Sequence, residues 1–466
     1  MPSYCAAQAS SHAATHRVTE SRSQSPATDA GFPDPAYAWY VVLVLFLAYV
    51  VSFLDRQILT LLVDPIKRDL AISDTMVSLL HGFTFAIFYA VLGFPLGRMA
   101  DHRNRTRLIM TGIGLWSLMT ASCGLARNAL MLFFSRVGVA VGEATLSPSA
   151  YSLISDYFPR DKRGRAISLY SLGIFAGAGM AYIFGGLVAG IASRPEVSSL
   201  PLLGQFKPWQ LTFIFTGLPG IAIVLLMLSV REPSRKECLG DGAAGLSLAE
   251  AWRYLLSHRR VYFALLVGNA FIALANYALF AWLPAYFIRV FGYTASHIGA
   301  TFGSLILVFG TGGLVLGGML ADSRFRRGRL GAHYNITVAL TALGIVPAVL
   351  MLGGPAEQPQ LMLVAVLVFC GAVSTGLVPA AMQLITPNEL RGQVTAVYLL
   401  LTTLVGLGIG PTAVALMTDY LFGDPQAVGK SLAITLTITL IVAVSLMLSG
   451  RSAYLARQQQ IADGVM

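Results

Sequence analysis

Four ionisable residues fall inside long apolar runs, where side chains of their type are rare. Asp55 and Arg56 are adjacent in the first run; Arg136 and Glu143 lie seven positions apart in the fourth. A charge in hydrocarbon is costly, so it is kept where it faces a partner charge, water or a passing solute. Seven residues are two helical turns, about 10 Å along one face. Arg136 and Glu143 therefore point toward one cavity without touching each other. Gly138 and Gly142 thin the same helix, which lets the span carrying Asp55 and Arg56 come close. Two acids and two arginines then form a mutually compensated set. Its chemistry is proton exchange at Glu143 and Asp55, with Arg136 and Arg56 binding an anion. Arg136 holds Glu143 ionised, and an anion that occupies Arg136 removes that hold and favours proton uptake. The same residues also read as a buried ion cluster that fixes helix packing, although buried pairs are poor stabilisers. His81 is a candidate titrating relay. The second half offers Asn269, Asn276 and Gln383 inside its spans, with Asp419 only at an end, beside aromatic wall residues such as Phe271, Phe280 and Trp282.

The elements that must hold these residues follow from composition. The 466 residues are 56% apolar and 12% charged, against about 25% charged in an ordinary soluble domain. Too little polar surface remains to coat a soluble globule, so the chain is an integral membrane protein. Four cysteines, Cys5, Cys123, Cys238 and Cys370, lie far apart with no C-x-x-C pair. They indicate neither a zinc site nor a disulfide framework. No H-E-x-x-H or G-x-S-x-G motif is present. The chain is accordingly expected to be no enzyme, to need no metal or organic cofactor, and to use protons as coupling ion.

A span needs about 20 mostly apolar residues. Twelve such stretches occur, near 38–62, 74–98, 107–126, 129–156, 166–192, 209–230, 261–288, 298–321, 332–353, 361–385, 394–420 and 431–452. Backbone satisfaction in lipid makes them helices. The predicted fold is an all-α membrane protein of twelve transmembrane helices in two pseudo-symmetric six-helix bundles. Residues 1–36 read as a disordered cytoplasmic tail, 37–230 as the first bundle and 231–260 as a cytoplasmic linker. Residues 261–452 read as the second bundle and 453–466 as a second tail. Within the linker, Ser247-Leu-Ala-Glu250 is a capping box opening a short interfacial helix with Trp252, Tyr254 and Leu255. The net charge of +10 is placed unevenly. With the N-terminus inside, 23 Lys and Arg fall in cytoplasmic segments and 7 in the opposite loops, which puts both termini in the cytoplasm. The surplus thus marks membrane topology, and nucleic acid is not an expected partner.

The two halves echo each other. Gly97-x-x-x-Asp101 with a basic run recurs 221 residues later as Gly318-x-x-x-Asp322, and Arg163-Gly164 recurs 228 residues later as Arg391-Gly392. Nearly equal spacing of two anchors indicates a duplicated six-helix unit, as in many secondary transporters. The segment Gly97-Arg-Met-Ala-Asp101-His-Arg103-Asn104-Arg105 resembles the signature of the major facilitator superfamily. In it Gly97, Asp101, Arg103 and Arg105 are expected to form a cytoplasmic gate that latches the halves.

The combination of Ser52-Phe-Leu-Asp55-Arg56 with Arg136-Val-Gly138-Val-Ala-Val-Gly142-Glu143-Ala144 resembles the Spinster branch more narrowly. This resemblance implies alternating access and an amphipathic anionic lipid cargo, of the lysophospholipid or sphingosine phosphate type, moved with protons. A small organic anion or an exported drug fits the same residues. The remaining expectations are a monomer in the lipid bilayer of a cell inner membrane.

Overall fold

Short polar side chains start the helices at both ends of the spans. Asn104 accepts from the Arg107 amide at 2.8 Å, Asn128 from the Met131 amide at 2.8 Å and Thr294 from the His297 amide at 3.1 Å. Each supplies an acceptor to a first-turn N–H that has no partner within its helix. The computed structural model describes residues 32–199, 203–235, 248–353, 357–387 and 390–463. No strand occurs among them.

Six helices build the first half. They are α1 (Pro35–Leu61), α2 (from Asp74 to His102), α3 (Arg105–Cys123), α4 (Ala129–Glu143 and Leu146–Tyr157), α5 (Arg160–Ala192) and α6 (Pro208–Met227). The second half has α7 (Arg259–Phe291), α8 (from Ala295 to Arg326), α9 (Ala332–Leu350), α10 (Glu357–Ile385), α11 (from Arg391 to Phe422) and α12 (Val428–Ala462). Eleven are long and apolar enough to cross a membrane. The other, α3, holds 19 residues with Arg105 and Arg107 in its first turn, and packs between α4 and α6 as the twelfth member.

In the first half α1 lies against α5 and α3 against α6; in the second α7 lies against α12, and α10 against α8 and α9. The halves meet along α5–α8, α2–α11 and α1–α7. Two of these seams are images of each other. A Cβ on Gly82 would lie 2.3 Å from the Leu407 carbonyl oxygen, and one on Gly303 would lie 2.5 Å from that of Gly179. Gly303 is 221 positions after Gly82, and Leu407 is 228 after Gly179, the same offsets that separate the repeated motifs. Only glycine allows backbones this close. Both seams carry wide π turns, at Leu79–Phe83 in α2, Ile306–Gly310 in α8 and Thr402–Ile409 in α11.

Several expected boundaries move. α12 continues to Ala462, through the stretch read as the start of a tail, because Arg451 donates to Asn335 and Gln458 accepts from the Gly331 amide. The linker forms a helix at Leu248–Ser257. Leu255 is buried and the Tyr254 hydroxyl donates to the Ile385 carbonyl, while Trp252 stays exposed. Ser247 of the capping box and residues 1–31 of the predicted tail lie outside the described residues.

Candidate functional site

Position along α1 decides what each of its polar residues meets. Arg56 Nη2 lies 2.5 Å from Glu143 Oε2 on α4, and the Ser52 hydroxyl donates to the same oxygen at 2.9 Å. The guanidinium stacks over Phe85 at 4.4 Å from the ring centre and near Phe53 at 5.2 Å. In this pair the arginine side chain is 11% exposed and the glutamate 1%. Asp55, one residue away and so on another face of α1, turns inward. It is fully buried, faced by Thr120 and Trp116 of α3, and neither carboxylate oxygen has a hydrogen-bond partner. Arg136 is also fully buried, and its Nη1 donates to the Asp55 carbonyl at 3.1 Å.

The four charged residues of α1 and α4 thus come together, but the partners differ from the sequence expectation. Arg136 and Glu143 do not look into one cavity. Arg56 is the arginine that holds Glu143 and reaches toward the space between the halves, while Arg136 stands behind it among buried groups. The sequence could not separate these roles, because adjacent residues on a helix differ by about 100° in direction and the rotation of α1 depends on its packing.

A cavity of about 100 Å³ lies between the halves. Its walls are Phe53, Gln57, Ile174 and Phe175 from the first, with Asn269, Ile272, Asn276, Tyr277, Phe280, Tyr398 and Thr402 among those from the second. No lining residue is charged. Phe53 links this cavity to the Arg56–Glu143 pair, since it touches both. Asn269 and Asn276 fall on the cavity wall. His81 is buried in the π turn of α2, with its Nδ1 unpartnered, against Leu59, Trp282 and Pro411.

The expected gate behaves differently. Arg105 is buried within its own half, where Nη1 lies 2.5 Å from Asp156 Oδ2 and Nε 2.7 Å from Glu232 Oε1. Arg235 of the linker donates to the carbonyls of Ala100 and Arg103. Arg103 is exposed, nothing packs within 4 Å of a Cβ on Gly97, and the Asp101 side chain lies outside the described residues. In this conformation Arg105 and Arg103 bind their own half and the linker, so they do not latch the two halves together.

Among the described residues, the ionic link between the halves sits at the opposite face, away from the termini. Arg289 of α7 forms a two-pronged bond to Asp74 of α2, at 2.7 and 2.8 Å, and Nε donates to Asp64 at 2.9 Å. Lys67 adds a second cation to Asp74 at 2.9 Å. Asp419 of α11 accepts from the Thr75 amide and hydroxyl, both at 2.7 Å. Sequence reasoning counted Lys67 and Arg289 only as loop charges; the partners of Arg289 lie more than 200 residues away and leave no trace in local spacing.

Among the described residues no group of His, Cys, Asp and Glu could hold a metal ion. Comparison with known proteins agrees with the helical arrangement. The sequence profile of the Major Facilitator Superfamily matches residues 45–411. A solved bacterial homologue of the human lysosomal transporter Spinster, inward-facing and unoccupied, superposes with a TM-score of 0.77. It is 26% identical, and the match covers 92% of this chain and 99% of that one. An MFS-type efflux pump of Mycolicibacterium smegmatis is 31% identical over 62% of this chain and 63% of its own length. The probable L-galactonate transporter of Escherichia coli is 26% identical over 60% and 61%. The chain therefore spans less than two thirds of the length of these two relatives. With twelve helices in two repeated halves and a family match over most of its length, the chain belongs to the Major Facilitator Superfamily and is Spinster-like in structure.

Proposed function

We propose that this transporter moves an organic anion with an apolar portion, of the lysophospholipid or sphingosine phosphate type, coupled to protons. The observation that carries the reading is the Arg56–Glu143 pair, closed at 2.5 Å and set at the edge of an uncharged cavity. An anion entering the cavity competes with Glu143 for Arg56. Once Arg56 turns to the anion, Glu143 is a buried carboxylate without its counter-charge, and a proton neutralises it. Cargo and proton then load together, and their release restores the pair. Phe53, Ile174, Phe175, Ile272 and Phe280 line the cavity with apolar surface suited to a chain or ring. Asp55 is the second proton carrier in this scheme. Arg136 balances Asp55 and supports the anion site from behind Arg56, whereas the sequence alone put it in contact with cargo.

The transporter is proposed to work as a monomer in a bacterial inner membrane, with both termini in the cytoplasm, as the 23 to 7 bias of basic residues indicates. The far-face ion cluster then closes the external side. A small organic anion is the second reading, favoured by the modest cavity and by similarity to the protein named as a probable L-galactonate transporter. Uptake into proton-gradient liposomes, with lysolipids screened against small organic anions, decides between them. Glu143→Gln is expected to abolish the pH dependence of uptake in a protein that still folds. Unchanged pH dependence would remove Glu143 as the coupling acid and defeat the reading.

A further inference from the structure

Between the linker helix, Leu248–Ser257, and α7 the chain bends at His258 without losing its backbone bonds. The His258 amide donates to the Tyr254 carbonyl at 3.2 Å, and the His258 carbonyl accepts from the Val261 and Tyr262 amides at 3.0 and 3.2 Å. The two helices thus carry one surface around the bend. Its inner side is filled. Leu255 shares an apolar cluster with Leu390 and Val394, and the Tyr254 hydroxyl donates to the Ile385 carbonyl at 3.2 Å. The hydroxyls of Tyr262 and Thr386 are hydrogen-bonded at 2.8 Å. The outer side is uncovered. Trp252, Leu256 and Phe263 are 58%, 55% and 57% exposed, and their spacing puts them on one helical stripe. Arg253, Arg259 and Arg260 are exposed beside them. Among the described residues, none of these three arginines meets a carboxylate.

Such a surface fits a partner that is apolar at one end and negative at the other. Phe263 already lies within the membrane span that α7 forms, so the occupant must reach from headgroup level into hydrocarbon. A phospholipid does this, whereas a water-borne protein or nucleic acid does not. Tryptophan favours that boundary. Arginine lays its stem on apolar surface and keeps its charge in the polar layer, where each basic residue adds attraction for anionic lipid. We propose that the bend at His258 is a binding site for an anionic phospholipid of the phosphatidylglycerol type. Its phosphate sits among Arg253, Arg259 and Arg260, and an acyl chain runs along Leu256 and Phe263. The site is separate from the cargo cavity. It ties the α10–α11 turn, which Tyr254 and Tyr262 hold from the inner side of the same bend, to the membrane surface.

Tryptophan fluorescence of the full chain in vesicles tests it. The vesicles are phosphatidylcholine with a minor share of phosphatidylglycerol, and dibrominated chains, which quench tryptophans they touch, are placed on one lipid or the other. Subtracting the signal of Trp252→Phe isolates Trp252. In the wild-type protein, phosphatidylglycerol is expected to associate at Trp252 about tenfold more tightly than phosphatidylcholine, the scale of two or three basic residues facing an anionic lipid. A preference below about twofold overturns the proposal, whatever the variants do. Replacing the three arginines together, Arg253→Gln, Arg259→Gln and Arg260→Gln, is expected to bring the ratio close to one. The control removes equal charge from the end of α8, as Arg324→Gln, Arg326→Gln and Arg327→Gln, all exposed in the wild type, and is expected to keep the preference. An equal loss in the control means diffuse attraction by the whole face and overturns a built site. Arg56→Gln, which strikes the cargo site, is expected to leave the ratio unchanged. Loss of the preference in that variant would assign the lipid to the cavity and overturn the proposal as well.

Discussion

The halves of this chain were built from one plan and filled differently. Applying the repeat offset of 221 places Asp55 on Asn276 and Arg56 on Tyr277; the offset of 228 places Glu143 on Gly371. The correspondence holds for the helices and shifts by one residue at the contact. Glu143 of α4 is met by Arg56 of α1, whereas its image Gly371 of α10 is met by Asn276, the image of Asp55, so close that a Cβ there would sit 2.1 Å from the amide oxygen. The second half packs its α7–α10 contact with an amide and a glycine. Helix packing of this unit therefore does not require charge, and the ions of the first half are present for another purpose. Buried pairs are weak stabilisers, which strengthens the point.

The comparison can be broken most directly at its central pair. Arg56→Gln is expected to weaken anion transport by about 3 kcal/mol, roughly a hundredfold in kcat/KM, while Tyr277→Phe at the image position changes it by less than about tenfold. Similar losses would show that the halves share the anion. Asn276→Asp places an acid where no arginine waits. Thermal unfolding is expected to report a loss of about 3 kcal/mol, as for other unpaired buried charges, and an unchanged midpoint would contradict a dry neutral second half.

The far face joins the halves, so weakening it should move one half against the other without touching the cavity. With spin labels at Arg68 and Gln426, both exposed there, Arg289→Gln is expected to add a longer-distance population by about tenfold over wild type. An identical distance distribution would exclude Arg289 as a lock. The smallest effect belongs to the linker anchor. Although burial pushes Glu232 up, the Thr106 amide and Arg105 hold its carboxyl below the usual carboxylate range. A depressed folded value gives stability that is present above the unfolded value of about 4.3 and lost as pH falls through the folded one. Wild-type thermal stability should thus drop below about pH 4 more steeply than that of Glu232→Gln, and parallel curves would refute the anchor.

Much of this was legible in residue order. Apolar run length gave the spans, and two repeated motifs gave the offset that the Gly82–Leu407 and Gly179–Gly303 seams obey. Charges in hydrocarbon marked α1 and α4. Rotation of a helix about its axis was not legible, which is why Glu143 pairs with Arg56 and not with Arg136. Nor was the Arg289–Asp74 bond, which depends on how two bundles meet. α12 outran its apolar stretch because the bond Arg451 donates to Asn335 and the one Gln458 accepts from the Gly331 amide, not hydropathy, carry its last turns.

The π turns of α2, α8 and α11 store an additional residue within the helices that form the seams. Such a bulge migrates by exchanging one backbone hydrogen bond at a time, lengthening the helix on one side of it and shortening it on the other. Seam helices can in this way slide their contact surfaces by about one residue, some 1.5 Å, with nearly every amide still bonded. The rocking of one bundle on the other then needs no melted segment inside the bilayer, where unbonded backbone would find no water.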